Sequence, residues 1–274
     1  MKHRFICLFA VLLGCLISPA ACRAQIQLPE NVHALKLTVG DVARSGFVYA
    51  PAAAKEKPTP VVFVFHGHGG NALQAGRSFA MHKHWPEAIS VYLQGLNTPG
   101  RLTDPEGKKP GWQHGAGAEG DRDLKLFDAV LAHLKESYKV DAKRVFSTGH
   151  SNGGGFTYLL WQTRPDVFCA MAPSAAASAR MAAASAFKPK PAMHIAGTND
   201  ALVKYAWQEM AMNRIKQINQ CEAEGKPWAK DCTLFPSKVG APFVAFIHQG
   251  THKFPEEAPT LIAKFFKEQA ATVK

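Results

Sequence analysis

Two stretches, His33 to Val39 and Val42 to Tyr49, alternate apolar and polar residues around Gly40-Asp41. A period of two puts successive side chains on opposite faces of a strand, so the pair predicts an antiparallel hairpin at a sheet edge. Further along, the pattern changes. Val61 to Phe65, Ile89 to Leu93, Arg144 to Thr148, Val167 to Met171, Pro191 to Ala196 and Pro242 to Ile247 are short, mainly apolar runs. Such runs suit strands buried on both faces of a parallel sheet. Helical stretches are expected from Asn71, over Asp121 to Tyr138, over Phe156 to Arg164, near Ala201, and over Ala258 to Gln269. Strands and helices that alternate in this way imply a mostly parallel central sheet with helices on both faces, and about 250 mature residues suffice for one such domain.

The run Arg144 to Thr148 leads into Gly149-His150-Ser151-Asn152-Gly153, and Gly154-Gly155 and a helix follow. A G-x-S-x-G sequence arises often by chance. Between a strand and a helix it has a physical meaning, because the tight turn lifts the serine hydroxyl above the end of the sheet. Ser151 is therefore the candidate nucleophile. A serine at neutral pH needs a base to take its proton and a carboxylate to orient that base.

Both partners follow in order along the chain. Asp200 ends the strand-like run from Pro191, and His252 follows a Gln249-Gly250-Thr251 break after the run from Pro242. Loops after parallel strands share one rim of the sheet, so Ser151, His252 and Asp200 are expected to meet there. Asp200 could instead cap the helix expected near Ala201, since Asp is a favoured N-cap. Asp166 is a rival acid in an Arg-Pro-Asp turn behind the serine helix, and His248 is a rival base nearer the strand. His150, inside the elbow, reads as structural. The run from Val61 ends in His66-Gly67-His68-Gly69-Gly70-Asn71, whose glycines allow close backbone approach. The backbone N–H groups of His68 and Asn152 are the candidate oxyanion donors. His66 and His68 could also be read as a metal pair, but nothing follows them to complete a binuclear site.

His66-Gly67-His68-Gly69-Gly70-Asn71-Ala72, Gly111-Trp112, Ser147 to Gly154 and Gly197-Thr198-Asn199-Asp200 together resemble secreted esterases of the polyhydroxybutyrate depolymerase and feruloyl esterase type. The resemblance runs from about Ser45 to Phe266. It implies an α/β-hydrolase fold and hydrolysis of carboxylic esters through an acyl-enzyme on Ser151, with no cofactor and no metal. Family members often carry Cys where this chain has His68, and Trp-Pro where it has Lys253-Phe254-Pro255.

Composition adds compartment and partners. Lys2 and Arg4 precede an apolar run, Phe5 to Ile17, which Ser18-Pro19 ends. This predicts a signal peptide over residues 1–24, with the single catalytic domain over 25–274. Leu12-Leu13-Gly14-Cys15 offers a weaker lipoprotein reading. Losing Lys2, Arg4 and Arg23 takes the formal charge from +11 to +8. A basic surface could attract anionic polymers or simply keep the protein soluble. No basic stretch interleaved with aromatics suggests nucleic acid, and no later segment suggests a membrane span. Export makes a bridge between Cys221 and Cys232 plausible, with Cys169 a free core thiol. Trp112 and Trp228 are candidates for the substrate pocket, Trp112 the stronger. Asp121 and Asp123 suit capping of the long helix.

Overall fold

The computed structural model describes residues 31–177 and 187–273. The expected signal peptide and most of the Ala-rich run from Ala175 to Ala186 lie outside the described residues. Among the described residues, ten strands form one sheet. Its centre is six parallel strands in the order β4 (Ile89–Leu93), β3 (Thr59–Phe65), β7 (Val140–His150), β8 (Ala170–Ser174), β9 (Ala192–Gly197) and β12 (Phe243–His248). The expected hairpin, β1 (Val32–Val39) with β2 (Val42–Tyr49), closes one edge through antiparallel pairing of β2 with β4. At the other edge β11 (Cys232–Phe235) and β10 (Lys226–Ala229) fold back antiparallel onto β12.

The central strands are apolar throughout because both faces are covered. Val61, Phe63 and Phe65 point into one core with α3 (Arg122–Ser137), α4 (Asn152–Thr163) and α5 (Tyr205–Ile218). Val62 and Val64 point into the other, with α1 (Ala72–Phe79), α2 (Met81–His84) and α6 (Ala258–Thr272). The fully buried Phe63, Phe65, Phe127, Phe146, Phe156 and Phe265 show how much of both cores is aromatic. At about 25 cal/mol per Å² of apolar surface, burial on this scale is the main term holding the sheet and helices together.

Three expectations are corrected. The strand expected from Val167 starts at Ala170, which leaves Cys169 in the preceding turn, partly exposed, with its thiol pushed up to about 11 by burial. The helix expected near Ala201 begins at Tyr205, after a turn. Cys221 and Cys232 are both free thiols. Cys221 packs with the core on the α3–α4–α5 face, whereas Cys232 lies in the core on the α1–α2–α6 face. The sheet itself separates them, a constraint that sequence spacing does not reveal.

Candidate active site

Ser151 occupies the turn between β7 and α4 with φ 56° and ψ −119°. A serine at positive φ carries strain on the order of 1–3 kcal/mol, which the surrounding structure must hold. Here its N–H is fixed to the carbonyl of Ser174 at 2.8 Å. The turn also needs glycines beside it. A Cβ on Gly149 would lie 2.5 Å from the Gly153 backbone, and one on Gly153 would lie 2.2 Å from the Phe65 carbonyl.

The loops after β9 and β12 bring in the other two residues. They are tied together by the Thr198 N–H to the His248 carbonyl at 2.9 Å, the Asn199 N–H to the Gly250 carbonyl at 3.1 Å and the Asn199 Nδ2 to the Gln249 carbonyl at 2.6 Å. His252 Nε2 lies 2.9 Å from Ser151 Oγ, and His252 Nδ1 lies 2.8 Å from Asp200 Oδ2. The Asp200 side chain is fully buried while the His252 ring is 24% exposed, so the ring can meet solvent and substrate. Asp200 also accepts the N–H groups of Leu202 and Val203 through Oδ1, so the capping role and the contact with His252 coexist.

The rivals are placed elsewhere. Asp166 is an exposed partner of Lys188. His248 Nδ1 accepts the N–H of Gly250 at 3.0 Å and so shapes the turn that carries His252. His150 packs against the His252 ring, with centroids 5.0 Å apart, and its Nδ1 lies 3.1 Å from Ser174 Oγ. Burial above all, with the facing His252, pushes His150 down to about 4, so its ring is neutral at neutral pH.

Asn152 follows the serine directly, and the His66–Asn71 loop approaches it at Gly67, where a Cβ would lie 3.6 Å from that of Ser151. The first N–H groups of a helix have no intrahelical acceptor, which leaves that of Asn152 available at the start of α4. Around His68 the neighbouring amides are committed, Gly69 to Pro110 at 2.7 Å and Gly70 to Gly67 at 3.0 Å. His66 Nδ1 donates to the Gly67 carbonyl at 2.7 Å and its Nε2 accepts the Gly95 N–H at 3.0 Å, so both ring nitrogens are spent on backbone. His68 Nε2 donates to Asp104 Oδ2 at 2.9 Å. That carboxylate also accepts the N–H groups of Lys108 and Lys109, and these bonds, His68 first, hold Asp104 below the usual carboxylate range.

Trp112 does not face the pocket. It is fully buried, packed on Phe65, Phe156 and His66, and so large a ring is more favourable in the core than at a wet rim. Its indole N–H donates to the His66 carbonyl at 2.8 Å, and its backbone is clasped by Asn152, which accepts its N–H at 2.6 Å and donates to its carbonyl at 3.0 Å. It is a strut between the His66 backbone, two residues before His68, and Asn152. Trp228 is also accounted for by packing, with Lys264 over its ring at 4.1 Å and its N–H on Glu268. Asp121 caps no helical N–H with its side chain. Asp123 is a buried partner of Arg44 at 2.7 Å that joins α3 to β2.

Comparison with known proteins places this geometry. A family model described as the prolyl oligopeptidase family matches residues 107–222. The bifunctional acetylxylan esterase/xylanase XynS20E of Neocallimastix patriciarum is 28% identical over 106 residues, 39% of this chain and 16% of the relative. A probable feruloyl esterase C of Aspergillus flavus is 28% identical over 115 residues, 42% of this chain and 39% of the relative. The chain thus spans well under half the length of these relatives. Among solved structures, an acetyl xylan esterase from Aspergillus awamori superposes with a TM-score of 0.62 at 11% identity, covering 86% of this chain and 99% of the other. A ferulic acid esterase gives a TM-score of 0.58 at 15% identity, covering 87% and 98%. The fold is the α/β-hydrolase fold, and the relatives bear out the resemblance to esterases of the feruloyl esterase type.

Proposed function

We propose that this protein is a serine esterase that hydrolyses carboxylic esters through an acyl-enzyme on Ser151. The observation that carries this reading is the unbroken hydrogen-bond chain from Ser151 Oγ through His252 to Asp200 Oδ2, with 2.9 and 2.8 Å links, at a strained strand–helix turn. His252 takes the serine proton as Oγ attacks the ester carbonyl, and Asp200 holds the imidazole with its Nδ1–H toward the carboxylate. The N–H groups of His68 and Asn152 receive the negative charge that develops on the carbonyl oxygen. His252 then protonates the leaving alcohol, and a water activated by the same ring releases the acid. These steps use side chains, backbone and water alone, without cofactor or metal.

Esters of phenolic acids with cell-wall sugars, acetylated polysaccharides and hydroxyalkanoate polyesters are the substrate classes that fit. The names of the feruloyl and acetylxylan esterase relatives support the first two. The leader-like residues 1–24 support action outside the cytoplasm, by a mature domain over 25–274. The family match over residues 107–222 favours peptide hydrolysis as the second reading. Turnover of methyl ferulate, p-nitrophenyl acetate, a hydroxybutyrate oligomer and a peptide anilide separates these. We expect cleavage of at least one ester, little of the anilide, and a loss on the order of 10⁴-fold in Ser151→Ala. Activity within tenfold of the parent in that variant would overturn the nucleophile.

A further inference from the structure

Behind the proposed triad the hydrogen bonding does not stop at Asp200. Gln208, on α5, donates through Nε2 to Asp200 Oδ2 at 3.1 Å and to the Val203 carbonyl at 2.7 Å. Both amide protons are thereby used. Its Oε1 faces His194 Nε2 at 3.3 Å, and His194 Nδ1 lies 2.6 Å from the Tyr158 hydroxyl.

The directions of these bonds are forced. An amide oxygen only accepts, so His194 carries its proton on Nε2. Its Nδ1 is then a lone pair, and Tyr158 must donate to it. Gln208, His194 and Tyr158 are each fully buried. Burial pushes His194 down to about 4 and the Tyr158 hydroxyl above its ordinary range, so both are neutral and the pattern has one proton arrangement at neutral pH.

The path also closes on itself. Tyr158 lies on α4, the helix that starts directly after Ser151, while His194 lies on the strand that delivers Asp200. Resting on the triad reading above, we infer that Gln208, His194 and Tyr158 are positioning residues that lock the carboxylate of Asp200 and tie it to the serine helix. A carboxylate with three further donors, the N–H groups of Leu202 and Val203 on Oδ1 and Gln208 Nε2 on Oδ2, presents Oδ2 to His252 in one orientation. A ring of satisfied buried polar groups has fewer alternative arrangements than an apolar wall of the same volume. Residues of this kind, set behind the groups they orient, commonly cost 10–100-fold when removed from metal sites. The same logic applies to an imidazole held by a carboxylate.

The test uses the full-length protein with p-nitrophenyl acetate. Gln208→Leu is expected to lower kcat by about 10–100-fold with KM within about threefold. It is also expected to shift the downfield proton resonance of the His252–Asp200 hydrogen bond. Tyr158→Phe removes a single oxygen atom, so it guards against misfolding of the first variant. It is expected to lower kcat by roughly two- to fivefold with KM unchanged and to shift the same resonance in the same direction, less far. Parental kcat and an unmoved resonance in folded Tyr158→Phe would overturn the inference, as would the same result in Gln208→Leu. Ser151→Ala and Asp200→Asn serve as separate controls. If they retain parental activity, the triad reading itself has failed; if they lose it while the positioning variants do not, only the present inference has.

Discussion

At Asp200 one carboxylate serves two elements. Oδ1 accepts two backbone N–H groups of the turn that follows, and Oδ2 faces His252 and Gln208. A residue shared in this way explains why the sequence supports both a capping and a catalytic reading. His248 and His252 separate more sharply. The ring of the first is bonded to the Gly250 N–H, and that of the second reaches Ser151. His252→Ala should cost on the order of 10⁴-fold in kcat, and His248→Ala less than tenfold, because the first removes the proposed base and the second only loosens its turn. Steady-state kinetics of the two variants decide it, and a reversal of their order would move the base. The three residues that meet at the strand–helix turn, Ser151, Asp200 and His252, were legible because motif and chain order constrain them. Gln208, Asn152 and Asp104 act through side-chain hydrogen bonds to residues 8, 40 and 36 positions away, and no local pattern encodes such pairings.

The buried central strands and the edge hairpin were legible from periodicity, and their boundaries fell within a few residues of those observed. The small strands β10 and β11 were not, because short, half-exposed strands lack a continuous apolar run. Nor could spacing tell that Trp112 is a strut. Around it, β5 (Leu96–Asn97) and β6 (Pro110–Gly111) form a short ribbon over the His66–Asn71 loop, held by the His68–Asp104 pair. The His68 ring is wedged so tightly that a Cβ on Gly111 would lie 2.6 Å from its Nδ1, and one on Gly100 2.7 Å from its Nε2. Asp104→Ala removes the acceptor for this ring and for two backbone N–H groups. It should lower kcat by about tenfold or more, as the loss of alignment of an oxyanion donor does, with a smaller effect on KM. Unchanged kcat in a folded Asp104→Ala protein would show that the His68 backbone is held by the glycine contacts alone. The same element-level geometry governs the thiols. Because the sheet separates Cys221 from Cys232, a reducing agent should leave the melting temperature of the mature protein unchanged. A fall of several degrees would restore the bridge.

For the molecule as a whole, the buried imidazoles set how stability responds to acid. His194 sits fully buried in the central sheet, and burial lowers its pKa from 6.5 to about 4. The folded state therefore binds this proton more weakly than the unfolded chain does. Between about pH 6.5 and 4 the unfolded state carries more protons, so stability rises with pH across that window and is lost as pH falls through it. Each unit of displacement corresponds to about 1.4 kcal/mol, which puts the effect of His194 on the order of 3 kcal/mol once pH reaches 4. His150, pushed down to about 4 chiefly by burial, acts in the same direction over the same window. Below pH 4, Asp104 and Asp121, both held below their ordinary values by hydrogen bonds, extend the decline. Urea unfolding at pH 7, 6 and 5 isolates the histidines, because these carboxylates stay ionised there. The parent should lose stability at each step, and His194→Gln, which keeps a polar side chain but does not titrate, should show a flatter slope. Equal slopes in the two proteins would mean that His194 is not the buried neutral ring on which both this window and the direction of the Tyr158–His194–Gln208 chain depend.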